Sequence, residues 1–181
     1  MNTKIFFILD GPTDDVHKTV LPSITEARRM VDIIKCTEGV NLSKIRVVTS
    51  SSERAMVIGE FIRSFFLDGI KVTKDSVLGV VIGDSDETEV KFFQYLAKVF
   101  TEFVEKNSSE TVVMISEYEV VKYLTRMFRF VEPMAFGEVL EMDLSPWEDK
   151  YTLHLDVKFR GEVFSFEYEL PAIALSKQFQ A

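Results

Sequence analysis

The chain has 181 residues, 46% of them hydrophobic and 16 of them Phe, with a formal net charge of −8. That is enough apolar material for one domain with a sizeable core, and it excludes a disordered chain. The acidic balance speaks against a nucleic-acid or anionic-membrane binder, since both need a basic face.

The single cysteine, Cys36, cannot close an internal disulfide and is expected to be a small apolar filler on a helix. No basic run precedes a long apolar stretch, and FFIL (residues 6–9) is too short to cross a bilayer. The expectation is a soluble cytoplasmic protein.

The N-terminal segment Lys4–Thr13, KIFFILDGPT, reads as an almost wholly apolar strand stopped by a carboxylate and a turn glycine. A strand without polar alternation is buried on both faces, as in the middle of a parallel sheet. Sites in open α/β sheets lie beyond the C-terminal ends of such strands, which is where Asp10 sits. Gly11-Pro12-Thr13-Asp14-Asp15 is turn chemistry.

Ser23-Ile24-Thr25-Glu26 matches a capping box, followed by Ile24, Ala27, Val31 and Ile34 at helical spacing, with Arg28, Arg29 and Asp32 outward. Gly39 and Asn41 end that unit. Lys44–Thr49, KIRVVT, is a second buried strand. Ser50-Ser51-Ser52-Glu53 then opens a helix with the apolar stripe Ala55, Ile58, Ile62 and Phe65.

Lys71–Gly83 fits either a strand or a packed loop. Asp86–Asn107 reads as the longest helix, capped by Asp86 with Glu89 three residues on, and with Phe92, Leu96, Val99, Phe100 and Phe103 as its core face. Thr111–Ser116, TVVMIS, is a third buried strand, and Glu117–Phe130 a helix with Val120, Leu124 and Phe128 inward. Beyond Pro133 the period changes to two. Glu138–Asp143 alternates, as does Tyr151–Phe159, with Tyr151, Leu153, Leu155, Val157 and Phe159 on one face. Arg160-Gly161-Glu162 makes a hairpin turn, and Phe164, Phe166 and Tyr168 alternate on the return. The expected architecture is a three-layer αβα sandwich with a mostly parallel central sheet and a C-terminal antiparallel hairpin. It forms a single domain over residues 1–181, with its core at 3–143 and the hairpin at 150–170.

Several of these segments together resemble the histidine phosphatase superfamily, with its phosphoglycerate-mutase-like fold. That family opens with a strand ending in Arg-His-Gly, an acidic or amide residue, and Thr. Here Leu9, Asp10, Gly11, Pro12 and Thr13 occupy the motif. Thr49-Ser50-Ser51-Ser52-Glu53-Arg54-Ala55 is similar to its second phosphate-binding segment, and TVVMIS with Glu117 to the strand leading into the last histidine. The likeness covers roughly Thr3 to Asp143, in separated segments. It implies that Leu9, Asp10, Arg54 and Glu117 stand at the four phosphate-contacting positions, with Val80 at or near the acid/base glutamate. Gly11, Thr13, Ser50 and Arg54 keep the family identities.

The chemistry implied by the resemblance needs a neutral imidazole nitrogen as nucleophile and cationic or donor groups around the phosphoryl oxygens. Two carboxylates in place of histidines and a leucine in place of an arginine make the pocket more negative by about three charge units. At ~5 Å and an effective dielectric of about 20, each carboxylate–phosphate charge pair costs about 3 kcal/mol per unit charge. Ordinary phosphatase activity is therefore expected to be lost, leaving a non-catalytic binding or interaction protein.

Two readings of the pocket follow. In one, Arg54 pairs with a drifted carboxylate as a structural ion pair. In the other, Asp10, Gly11, Thr13, Ser50, Arg54 and Glu117 hold a new small ligand such as a cation, an amine or a zwitterion, with Mg²⁺ among the hard cations suited to such oxygens. A different enzyme class is also open. ILDG, TSS and VIGDSDE resemble aspartate-nucleophile phosphatases of the haloacid dehalogenase type, which would make this a metal-dependent phosphohydrolase using Asp10. That family's nucleophile stands two residues before the Asp-Gly, where this chain has Ile8. Asp84 and Asp86 would be metal carboxylates in that case; Asp86 otherwise caps its helix.

His154 is expected to be solvated beside Asp156 and Lys158, and His17 to be a surface residue near the pocket mouth. No spacing of His, Cys and carboxylates suggests zinc. Trp147 is expected as a local packing anchor. A homodimer through the apolar faces of the hairpin completes the expectations.

Overall fold

The computed structural model describes residues 3–11, 20–66, 69–75, 110–118, 120, 121, 128, 130, 132, 134–146 and 152–169. In chain order the elements are β1 (Thr3–Leu9), α1 (Ile24–Cys36), β2 (Ile45–Thr49), α2 (Glu53–Arg63), β3 (Val72–Lys74), β4 (Thr111–Ser116), β5 (Leu140–Pro146), β6 (Thr152–Phe159) and β7 (Glu162–Glu169). The strands form one sheet in the order β3-β2-β4-β1-β5-β6-β7. β1, β2, β3 and β4 run parallel, and β5, β6 and β7 continue the sheet antiparallel. The C-terminal hairpin, β6 and β7, is thus part of the sheet itself, two of its seven strands.

The three apolar runs become the three central parallel strands, each covered on both faces. Ile5, Phe7 and Leu9 join one core cluster with Met114, Val120, Val121, Phe128 and Leu140. Phe6 and Ile8 join the other, with Ala27, Met30, Ile34, Ala55, Ile58 and Ile62. Both βα steps (β1 to β2, β2 to β3) move the same way across the sheet, so right-handed crossovers put α1 and α2 on one face. α1 begins with the expected capping box. Glu26 N–H donates to Ser23 Oγ (3.2 Å) and Ser23 N–H to Glu26 Oε2 (2.8 Å).

Its inward stripe is Ala27, Met30, Val31 and Ile34, whereas Ile24 is 59% exposed. Ile24 is the first helical residue, one turn short of the stripe, so the periodic count ran one position too far. Cys36, the last residue of α1, is also exposed and fills no gap. In α2 the buried set is Ala55, Ile58, Gly59 and Ile62, with Phe65 only partly buried against the same cluster.

Gly59 explains how closely α2 approaches the sheet. A Cβ there would sit 2.5 Å from Thr49 Cγ2, on a fully buried strand residue. Gly59→Ala would gain about 1 kcal/mol of helix propensity, but the overlap, of a kind that costs about 1–3 kcal/mol, outweighs it. Urea unfolding should show a net loss of stability.

Across the hairpin, Leu155, Val157 and Phe159 are buried as the alternation required. Arg160 (φ 50°) and Gly161 (φ 83°) form a two-residue turn with both residues in the left-handed region, matching the strand twist. His154 stands beside Asp156 as expected, though less open to solvent. It is partly buried, with Nε2 3.2 Å from Asp156 Oδ1. Thr13, His17, Val80, Asp84, Asp86, the Asp86–Asn107 helix, Leu124, Trp147 and Tyr151 lie outside the described residues. Among the described residues no helix is long and apolar enough to cross a membrane.

Candidate functional site

The ends of β1, β2 and β4 are neighbours because β4 lies between the other two. Asp10 follows β1 and is held in line by its N–H bond to Ser116 O (3.0 Å). Ser50 follows β2, and its N–H donates to Ile115 O (3.0 Å). Glu117 follows β4. The C-terminal ends of three adjacent central strands therefore place these side chains around one point, and Arg54 enters from the first turn of α2.

Arg54 Nη2 donates to Asp10 Oδ1 at 2.6 Å, with the two side chains 12% and 1% exposed. Ser52 Oγ lies 3.4 Å from Asp10 Oδ2. The same Ser52 Oγ accepts the Ala55 N–H (3.0 Å), so one hydroxyl caps α2 and touches the carboxylate. Ser50 Oγ donates to Glu117 Oε1 (3.3 Å) and lies 3.1 Å from Ser52 Oγ. Gly11 backs onto the guanidinium. A Cβ there would meet Arg54 Cδ, Nε and Cζ at 3.3 Å, so a side chain at 11 would crowd the ion pair.

Of the positions picked out in the sequence, Asp10, Gly11, Ser50, Arg54 and Glu117 are thus brought together. Leu9 is not. It shares the face of Ile5 and Phe7 and is fully buried in the apolar core. Ser52 was not foreseen as a site residue, because its place before Glu53 already explained it as a helix cap. The signal available was the Ser50-Ser51-Ser52 run, which gives one hydroxyl to each carboxylate.

Burial pushes the Asp10 carboxyl above the usual carboxylate range, against the downward pull of the Arg54 hydrogen bond and charge and of Ser52. Burial also raises Glu117, and the Asp10 charge adds to it, while Ser50 and Arg54 pull the other way. One guanidinium serves two carboxylates, so the cluster keeps a surplus negative charge when both are ionised.

Groups whose folded pKa is raised bind more protons folded than unfolded, so their contribution improves as pH falls through the raised values. That gain is complete below the unfolded carboxylate values near 4. Glu117→Gln removes one such group while keeping an oxygen for the Ser50 hydroxyl. The variant should be more stable than the parent at pH 7, and the difference should shrink as thermal melts are repeated towards pH 4. A constant difference across that range would contradict this electrostatic picture.

No protein-family model and no curated protein matches the sequence. Solved structures do match. The protein histidine phosphatase SixA complexed with tungstate is 17% identical, with a TM-score of 0.53, over 92% of this chain and 97% of that one. A mycobacterial glucosyl-3-phosphoglycerate phosphatase in complex with VO3 is 10% identical, with a TM-score of 0.57, over 88% and 98%. A phosphoserine phosphatase variant from Entamoeba histolytica in complex with phosphoserine is 11% identical, with a TM-score of 0.50, over 77% and 90%. The chain therefore has the phosphoglycerate-mutase-like fold of the histidine phosphatases, an α/β architecture on a mixed sheet. The resemblance drawn from Asp10-Gly11, Ser50 and Arg54 pointed to the same fold.

Proposed function

We propose that this chain is a catalytically silent relative of the histidine phosphatases, acting as a binding or interaction protein in the cytoplasm. Its partner would be a small ligand or another protein. The observation that supports this reading is the Asp10–Arg54 ion pair at the end of β1. A nucleophile in this position must accept a phosphoryl group, and a basic residue beside it must be free to receive the phosphoryl oxygens. Here the residue in the nucleophile's place is a carboxylate, and it already occupies an Nη of Arg54. Glu117, at the position of the last histidine, adds negative charge where positive charge or a hydrogen-bond donor is needed.

The rival reading, metal-assisted hydrolysis with Asp10 as nucleophile, requires a carboxylate open to a substrate or to Mg²⁺. Asp10 is almost wholly buried and hydrogen-bonded on both oxygens, which favours the silent site.

The test is hydrolysis of p-nitrophenyl phosphate and of phosphoserine, with chelator and then with Mg²⁺. The expected result is no turnover above buffer in either. Metal-free turnover that is lost in Asp10→Asn would overturn the proposal, and Mg²⁺-dependent turnover lost in the same variant would establish its rival.

A further inference from the structure

Among the described residues the two outermost strands of the sheet are unlike. β3 is three residues long and ends on Lys74, which is how exposed edges are ordinarily kept from pairing. β7 is eight residues long, EVFSFEYE, with no lysine and no proline. Its pairing with β6 runs unbroken from Phe159 opposite Glu162 to Thr152 opposite Glu169, so no bulge twists it away. Among the described residues no strand lies beyond it. With respect to the described residues, its outer row of backbone N–H and C=O groups is in position to pair with another strand.

We propose that β7 pairs with the β7 of a second copy of this chain, antiparallel about a two-fold axis at Ser165, joining the two sheets into one. The strand is self-complementary in that register. Val163 falls opposite Glu167, Phe164 opposite Phe166, and Ser165 opposite itself. Directly opposed like charges disfavour strand pairing, and this register has none over Val163–Glu167. An axis two residues further on, at Glu167, would oppose two glutamates.

The aromatic pairs lie on the core side. Phe164 packs on Phe130 and Phe166 on Phe128, each with ring centroids 5.0 Å apart, and both phenylalanines keep part of their surface exposed. A second β7 would cover that remainder with the same two side chains from the other copy. On the opposite face Val163 is 57% exposed and would gain a neighbour. Moving the axis one residue, to Phe166, would still set Val163 against an acidic position, Glu169, so position 163 reports on either register.

Sedimentation velocity of the full chain across a concentration series tests this, using Val163→Glu and Val163→Lys. The parent should form a dimer that tightens with added salt, because each copy carries a net charge of −8. Val163→Glu places like charges opposite each other twice per dimer and should weaken it by about tenfold or more. Val163→Lys faces an acidic side chain and should hold the dimer or tighten it. Within one chain position 163 lies opposite Lys158 of β6, so Val163→Glu should if anything stabilise the monomer and Val163→Lys slightly destabilise it, the reverse of their expected order in the dimer. A parent that stays monomeric at every concentration, or a dimer that responds equally to both substitutions, would overturn the proposal.

Discussion

Arg54→Ala should cost about 3–5 kcal/mol of stability, because it leaves Asp10 as a buried carboxylate without its counter-charge. The Asp10 side chain is 1% exposed and cannot turn to water in place of the guanidinium. Asp10→Ala should cost a similar amount by stranding the guanidinium instead. The double variant Asp10→Leu/Arg54→Met removes both charges and keeps comparable volume, so it should recover most of either loss. Buried ion pairs replaced by apolar residues are often neutral or better. Urea unfolding of the three variants shows whether removing both charges recovers what removing either one loses. Single losses within about 0.5 kcal/mol, the usual range for surface changes, would mean that water reaches the pair.

Phe7→Ala should be comparably damaging, at about 3–5 kcal/mol, through the cavity left in the cluster beneath β1. Phe7 lies in the middle of the central strand, opposite Met114 on one side and Leu140 on the other. The contrast is Ile24→Ser, at an equally apolar residue on an exposed first helical position, which should stay within about 0.5 kcal/mol. The pair separates hydrophobic residues that hold the sheet from one that only looks as if it does.

That contrast also marks how far the sequence could be read. IFFIL, VVT and TVVMIS declared themselves as buried strands because nothing polar interrupts them, and their ends located Asp10, Ser50 and Glu117. Ser23 and Glu26 declared the start of α1 through a local interaction spanning only three residues. What stayed hidden depends on register between distant strands. Lys4 sits in an apolar strand yet is buried, with Glu141 and Asp143 of β5 around its ammonium group. Lys158 of β6 reaches the same two acids. No periodicity in the chain announces that cluster, since it arises only when β1, β5 and β6 are aligned.

The candidate site shows the same division. The resemblance assigned Leu9 a place around the phosphate, but strand alternation turns it to the face opposite Phe6 and Ile8, into the core. The Asp10–Arg54 pairing was one of two readings left open by the residues alone. Its geometry depends on β4 lying between β1 and β2, which is a property of topology and not of any one segment.

In the proposed silent site Asp10 neutralises Arg54 from within, and Glu117 repels what remains of an oxyanion's attraction. Calorimetric titration of the parent protein with tungstate, the ligand held by the compared SixA structure, tests it most directly. The expected result is no saturable heat at neutral pH, whereas stoichiometric one-to-one binding would contradict it.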